Sequence, residues 1–169
     1  MAAWRHARKP VFMRAGGSAA AAVALFGALV SALPTGAATT EYVVVDRNSG
    51  LAISGFDPIA YFTDRAAILG RGEFEHRHAG AVWRFRNSGN RSAFAANPGI
   101  YMPRFGGYDP VGVARGVAVP GDPHIWLIAD ERLYLFHSPE SKSAFGADAG
   151  RAIATADKAW ASVQLTLSP

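Results

Sequence analysis

Hydrophobic and polar positions alternate in two short stretches of this chain, and each stretch is followed by a helical pattern. Phe74–His78 and Ala81–Arg86 read as one hairpin: Ala79-Gly80 supplies the turn, and Trp83 and Phe85 share a face by period-two alternation. Ser88 then caps a helix over Gly89–Ala96, stopped before Pro98. The order recurs downstream. Ile125–Ala129 and Arg132–Phe136 form a hairpin across Asp130-Glu131, and Ser138 caps a helix whose first position suits Pro139. A last amphipathic helix over Asp148–Val163 carries Ile153, Ala156 and Trp160 on one side. Glu41–Val45 is β-rich and is expected to be a first strand. The class this predicts is α+β: small antiparallel strand pairs, each followed by a helix, and a C-terminal helix. Trp83, Trp126, Trp160, Phe85 and Phe136 are its expected core.

Self-comparison adds a second level of order. Gly55-Phe56-Asp57-Pro58-Ile59-Ala60 returns as Gly107-Tyr108-Asp109-Pro110-Val111-Gly112, 52 residues on. Phe85 and Arg91-Ser92-Ala93-Phe94 return as Phe136 and Lys142-Ser143-Ala144-Phe145, 51 residues on. Two matches in one order at nearly one offset indicate two related halves in one compact domain.

The N-terminus has a different pattern. Arg5, Arg8, Lys9 and Arg14 precede an uncharged stretch, Ala15–Leu33, and then the small residues Pro34-Thr35-Gly36-Ala37-Ala38. This is the order of a secretory signal peptide, residues 1–38, cut after Ala37 or Ala38 to leave a domain over 39–169. The competing expectation is an uncleaved anchor, because the uncharged stretch reaches the roughly 17–25 residues that span a bilayer. Either way the domain is expected to be periplasmic or secreted, touching a membrane only through the N-terminal segment. No adjacent arginine pair supports a twin-arginine signal.

Charge and composition change the picture in two ways. The net charge of +4 comes wholly from those four leader residues, and the other 13 basic residues balance 13 acidic ones. A neutral domain lacks the electrostatic term that drives phosphate-backbone binding, so nucleic acid is excluded as a main partner. There is no cysteine among the 169 residues, which excludes disulfides, thiolate metal sites and a cysteine nucleophile.

Segments 49–62 (SGLAISGFDPIAYF), 78–109 (HAGAVWRFRNSGNRSAFAANPGIYMPRFGGYD) and 132–145 (RLYLFHSPESKSAF) together resemble the YHS domain family, specifically its secreted bacterial members. The resemblance runs from about Ser49 to Trp160. It implies a small metal-associated domain, copper above all, acting through cysteines. Short relatives carry Cys after the Asp-Pro and after the Tyr-x-Phe strand, and secreted relatives carry Cys or selenocysteine after Gly-Gly-Tyr. Here those positions hold Ala60, Arg86 and Asp109. The scaffold is kept and every thiol is gone, so soft ions such as Cu(I) lose their preferred ligands.

Several residues remain that can carry chemistry. His76-x-His78 on a strand puts both imidazoles on one face, where they could share a divalent ion with a third ligand from His124, His137, Asp57 or Asp109. The bland alternative is two histidines on a polar edge strand. Asp57 and Asp109 precede prolines and suit Asx turns; they also suit oxygen ligation or an acid/base pair at equivalent sites of the two halves. Gly106-Gly107 before Tyr108 either exposes backbone N–H groups to a ligand or makes a tight bend. His137 alone reads as a helix-start residue, and no Gly-x-Ser-x-Gly motif marks a hydrolase.

The expectation is therefore an exported, non-enzymatic YHS-like binding module. Its ligand, a divalent metal ion or a small polar molecule, would sit by Tyr108 and Asp109 between the halves, with Asp57, Tyr61, Gly106 and Gly107 contributing. The alternatives are a degenerate structural or protein-interaction domain, and an enzyme working through carboxylate and histidine, which needs Asp109 within reach of a histidine or Tyr61.

Overall fold

The computed structural model describes residues 42–167, and the expected signal segment and its expected cleavage site lie outside them. Among the described residues no helix is long and apolar enough to cross a membrane. In chain order the elements are α1 (Ala60–Thr63), β1 (Arg71–His78), β2 (Ala81–Phe85), α2 (Ser88–Ala96), α3 (Pro98–Tyr101), α4 (Pro110–Ala114), β3 (Asp122–Ala129), β4 (Arg132–Phe136), α5 (Pro139–Ala147) and α6 (Ala149–Thr166). Strands β1 and β2 form one antiparallel pair, and β3 and β4 another, in an α+β fold closed by a C-terminal helix.

Both hairpins turn where the sequence places them. Ala79 and Gly80, and Asp130 and Glu131, all have positive φ. Two consecutive left-handed residues match the right-handed twist of the flanking strands. The strands start earlier than their alternation predicts, at Arg71 and Asp122, because each first strand contains a register shift that hides its early residues from a period-two reading. Two other expectations are corrected. Asn87, not Ser88, caps α2: its side chain accepts from the Asn90 N–H, and Ser88 is already the first helical residue. The expected strand at Glu41–Val45 reduces, among the described residues, to one bridge between Val45 and Ala52. Ser138 caps α5 by accepting from the Ser141 N–H, and Asp148 caps α6 by accepting from that of Arg151.

The repeat is visible in the backbone hydrogen bonds themselves. Asp57 N–H donates to Ile68 O and Gly70 N–H to Gly55 O; Asp109 N–H donates to Val119 O and Gly121 N–H to Gly107 O. Gly70 and Gly121 are tight for the same reason. A Cβ would lie 2.4 Å from the Arg84 carbonyl carbon in one half and 2.6 Å from Leu135 Cβ in the other, at matching places on β2 and β4.

The two second strands differ in what covers them. In β2, Ala81, Trp83 and Phe85 are buried, while Val82 and Arg84 are half-buried. In β4 the run Leu133-Tyr134-Leu135-Phe136 is buried throughout. Leu133 and Leu135 pack with Trp83, Phe85 and Phe94 of the first half. Tyr134 and Phe136 pack with Phe145, Ala156 and Val163 under α5 and α6. An unbroken apolar run is the signature of a strand covered on both faces. Strand β4 therefore joins the two cores. Ile153 and Trp160 of α6 pack half-buried on the second core beside Ala156.

Tyr61 forms a second link. It is wholly buried, its hydroxyl donates to Pro123 O at 2.9 Å, and its ring meets Trp126 edge-on at 5.2 Å. Burial, then the charges of Asp122 and Asp57, raises its phenol far above the ordinary 10.0. The folded chain thus holds this proton more tightly than the unfolded chain, and that stabilisation is lost as pH rises past 10. Tyr61→Phe should flatten the fall of the urea midpoint above pH 10, and at neutral pH should cost about 1–2 kcal/mol for the buried carbonyl left unpaired.

Candidate functional site

Asp57 and Asp109 are the buried charged residues among those described. A carboxylate out of water is tolerated only with hydrogen bonds in place of hydration. In the first half, Asp57 Oδ1 accepts from Ile59 N–H at 2.8 Å. Its Oδ2 accepts from Arg86 N–H at 2.8 Å and from the Asn90 side-chain amide at 2.7 Å. In the second half, Asp109 Oδ1 accepts from Val111 N–H at 2.8 Å and Gly112 N–H at 3.4 Å. Its Oδ2 accepts from His137 N–H at 2.9 Å. Each aspartate ties the turn before a short helix to the end of its own hairpin. The Asx-turn expectation describes one oxygen of each; the other oxygen reaches across the fold.

The difference between the halves lies in the third residue of the following helix. Asn90 of α2 corresponds to Ser141 of α5, and each N–H is held by its cap, Asn87 or Ser138. The Asn90 carboxamide reaches Asp57, whereas the short Ser141 side chain leaves its Oγ buried without a hydrogen-bond partner. Beside it lies a cavity of about 380 Å³ whose polar lining includes Asp109, Arg115, His137, Ser138, Glu140 and Ser141. The Ser138 hydroxyl and the residue's own backbone N–H hold the Glu140 carboxyl below its ordinary range.

Of the residues expected to bind a ligand, Asp109 and His137 line this cavity, which belongs to the second half alone. Asp57 is enclosed by its own donors. Tyr61 is spent on Pro123. Tyr108 is buried, bridged to Pro120 and packed 6.2 Å from the Trp160 ring. Gly106 and Gly107 make the bend: Gly106 has φ +64, and a Cβ there would lie 1.7 Å from Tyr42 O. The chain's own segment makes the close approach, with Val44 N–H donating to Gly106 O at 2.8 Å. A separate opening of about 420 Å³ does lie between the halves, lined by Phe56, Asp122, His124 and His137. Arg115, Ser138, Glu140 and Ser141 were absent from the sequence-based set. For Ser138, Glu140 and Ser141 the signal was available in the repeat, where Asn87-Ser-Gly-Asn90 aligns with Ser138-Pro-Glu-Ser141; none marked Arg115.

His76 and His78 do share a face of β1. Their rings stack at 6.4 Å, and both set an edge against Phe94, at 6.1 and 5.9 Å. Among the described residues no three His, Asp or Glu side chains converge to hold a metal. His124 packs edge-on to Phe56 at 4.9 Å. His137 meets Asp109 through its backbone N–H, and its Nδ1 lies 3.3 Å from Pro120 O. The carboxylate–histidine contact at Asp109 is therefore a positional bond between backbone and side chain, not a proton relay. No family model, curated protein or solved structure matches this chain.

Proposed function

We propose that this chain is an exported, non-enzymatic binding module of YHS type that holds a small polar ligand in the cavity beside Asp109. The observation that carries the reading is the coincidence of a buried carboxylate, a buried hydroxyl without a partner and an open cavity at one place. Buried polar groups are nearly always satisfied, and a cavity next to an unsatisfied one is where a ligand gains hydrogen bonds without first breaking any. The same position in the first half is closed by Asn90, so the fold does not require the opening. The family's thiol chemistry is lost with its cysteines. Hydrogen bonding to oxygen is what the remaining lining offers.

A thermal-shift series on the full chain tests this. The panel comprises small amides, amino acids, short carboxylic acids and the ions Cu(II), Zn(II), Ni(II) and Ca(II). A ligand at a hundredfold its dissociation constant adds about 2.7 kcal/mol, a midpoint rise of several degrees. The expected result is a rise with an organic polar ligand, lost in Asp109→Asn and kept in the double variant His76→Ala/His78→Ala. A rise confined to metal ions and lost only in the histidine variant would move the site to β1 and contradict the proposal.

A further inference from the structure

We infer that the group this cavity recognises is a neutral primary carboxamide. The inference rests on the binding-module reading and adds the ligand's chemistry to it. The repeat supplies the argument, because it shows one aspartate site with the cavity filled and one with it open. Where it is filled, the filling group is itself a carboxamide: Asn90 Nδ2 donates to Asp57 Oδ2 at 2.7 Å, beside the Arg86 N–H bond on the same oxygen. Where it is open, Asp109 Oδ2 keeps the matching backbone bond, from His137 N–H, and among the described residues no side chain stands in for Asn90. Replacing Asn by Ser removes the carboxamide group and leaves space for one, and the cavity of about 380 Å³ adds room for what that group is attached to.

Charges of both signs line the cavity, Arg115 against Asp109 and Glu140, so its walls suit a group that both donates and accepts hydrogen bonds. A primary amide is neutral, donates two N–H bonds and accepts through its carbonyl. One N–H can donate to Asp109 Oδ2 as Asn90 does to Asp57, and a turn of the Ser141 side chain, whose covered hydroxyl has no partner of its own, lets the amide carbonyl accept from it. A carboxylate of the same shape lacks the donor, and a site built to receive an N–H rejects such an analogue strongly.

Two sources carry this chemistry: a free small amide, and an asparagine or glutamine side chain on a peptide. The test is a titration of the ¹⁵N-labelled full chain, following the backbone N–H signals of His137 and Ser141. The probes are acetamide, N-acetylasparagine methylamide, methylammonium and acetate. The expected result is a saturating shift of both signals with an amide. The stronger of the two amides identifies the source, and acetate and methylammonium leave the signals in place. Ser141→Asn, which restores the first-half arrangement, should weaken amide binding about tenfold or more. Ala144→Leu fills the same cavity from an exposed helical position and should do the same if Ser141→Asn folds poorly. Saturating shifts with acetate or methylammonium but not with the amides would overturn the carboxamide assignment while leaving a binding module in place. Amide shifts unchanged in both variants would overturn the site itself.

Discussion

Asp57→Ala is expected to cost about 4 kcal/mol or more and to leave the chain at the edge of folding. The carboxylate is wholly buried and accepts from three donors on three elements: the turn before α1, the end of β2 and the first turn of α2. Removing it strands the N–H groups of Ile59 and Arg86 and the Asn90 amide, and each stranded buried donor costs about 1–3 kcal/mol. A domain of this size is stable by only about 5–15 kcal/mol in total. Asp109→Ala should cost less, about 2 kcal/mol, because its cavity admits water to the freed donors. Urea unfolding of both variants reads the difference directly. Equal costs would mean that the opening beside Asp109 does not set the two sites apart.

Phe94→Ala should cost about 4 kcal/mol, within the usual range for truncating a buried aromatic ring. Phe94 is wholly buried in the first core. Its ring lies 5.0 Å from Trp83 and 5.1 Å from Phe85, and the edges of His76 and His78 rest on it. The truncation empties the contact between α2 and both strands of the first hairpin. The counterpart Phe145, between Tyr134 and Phe136 at 5.0 and 5.2 Å, is also buried, but α6 adds a further layer there. Thermal unfolding of Phe94→Ala beside Phe145→Ala should show both midpoints lowered. A change of less than about 1 kcal/mol for Phe94 would show that α2 is not anchored as described.

These two residues mark how far the sequence could be read. Hairpins and helix starts were legible because their causes are local: Ala79-Gly80, Asp130-Glu131, Ser138 before Pro139, and the alternation of Trp83 with Phe85. The misplaced cap at Ser88 shows the limit, since Asn87 and Ser88 are both good caps and only the bond to Asn90 N–H separates them. The expected strand before Val45 failed because that segment pairs with a bend at Gly106, far along the chain, rather than with a ladder. Asp57 and Asp109 were legible as turn residues, but their second oxygens bond to groups 29 and 28 residues away, which no local pattern reports. The cavity was the least legible feature. It comes from what Ser141 lacks compared with Asn90, and that difference gains meaning only when the two halves are superposed.

The most direct test of this account is the stability of Ser141→Asn in the absence of any ligand. If the opening beside Asp109 matches the space that Asn90 fills beside Asp57, the new side chain should fill it and donate to Asp109 Oδ2 as Asn90 donates to Asp57. The urea midpoint should then rise, with a gain of about 1 kcal/mol for one buried hydrogen bond. A lowered midpoint would mean that the second site cannot accept the first site's side chain, and it would contradict the equivalence on which the functional reading rests.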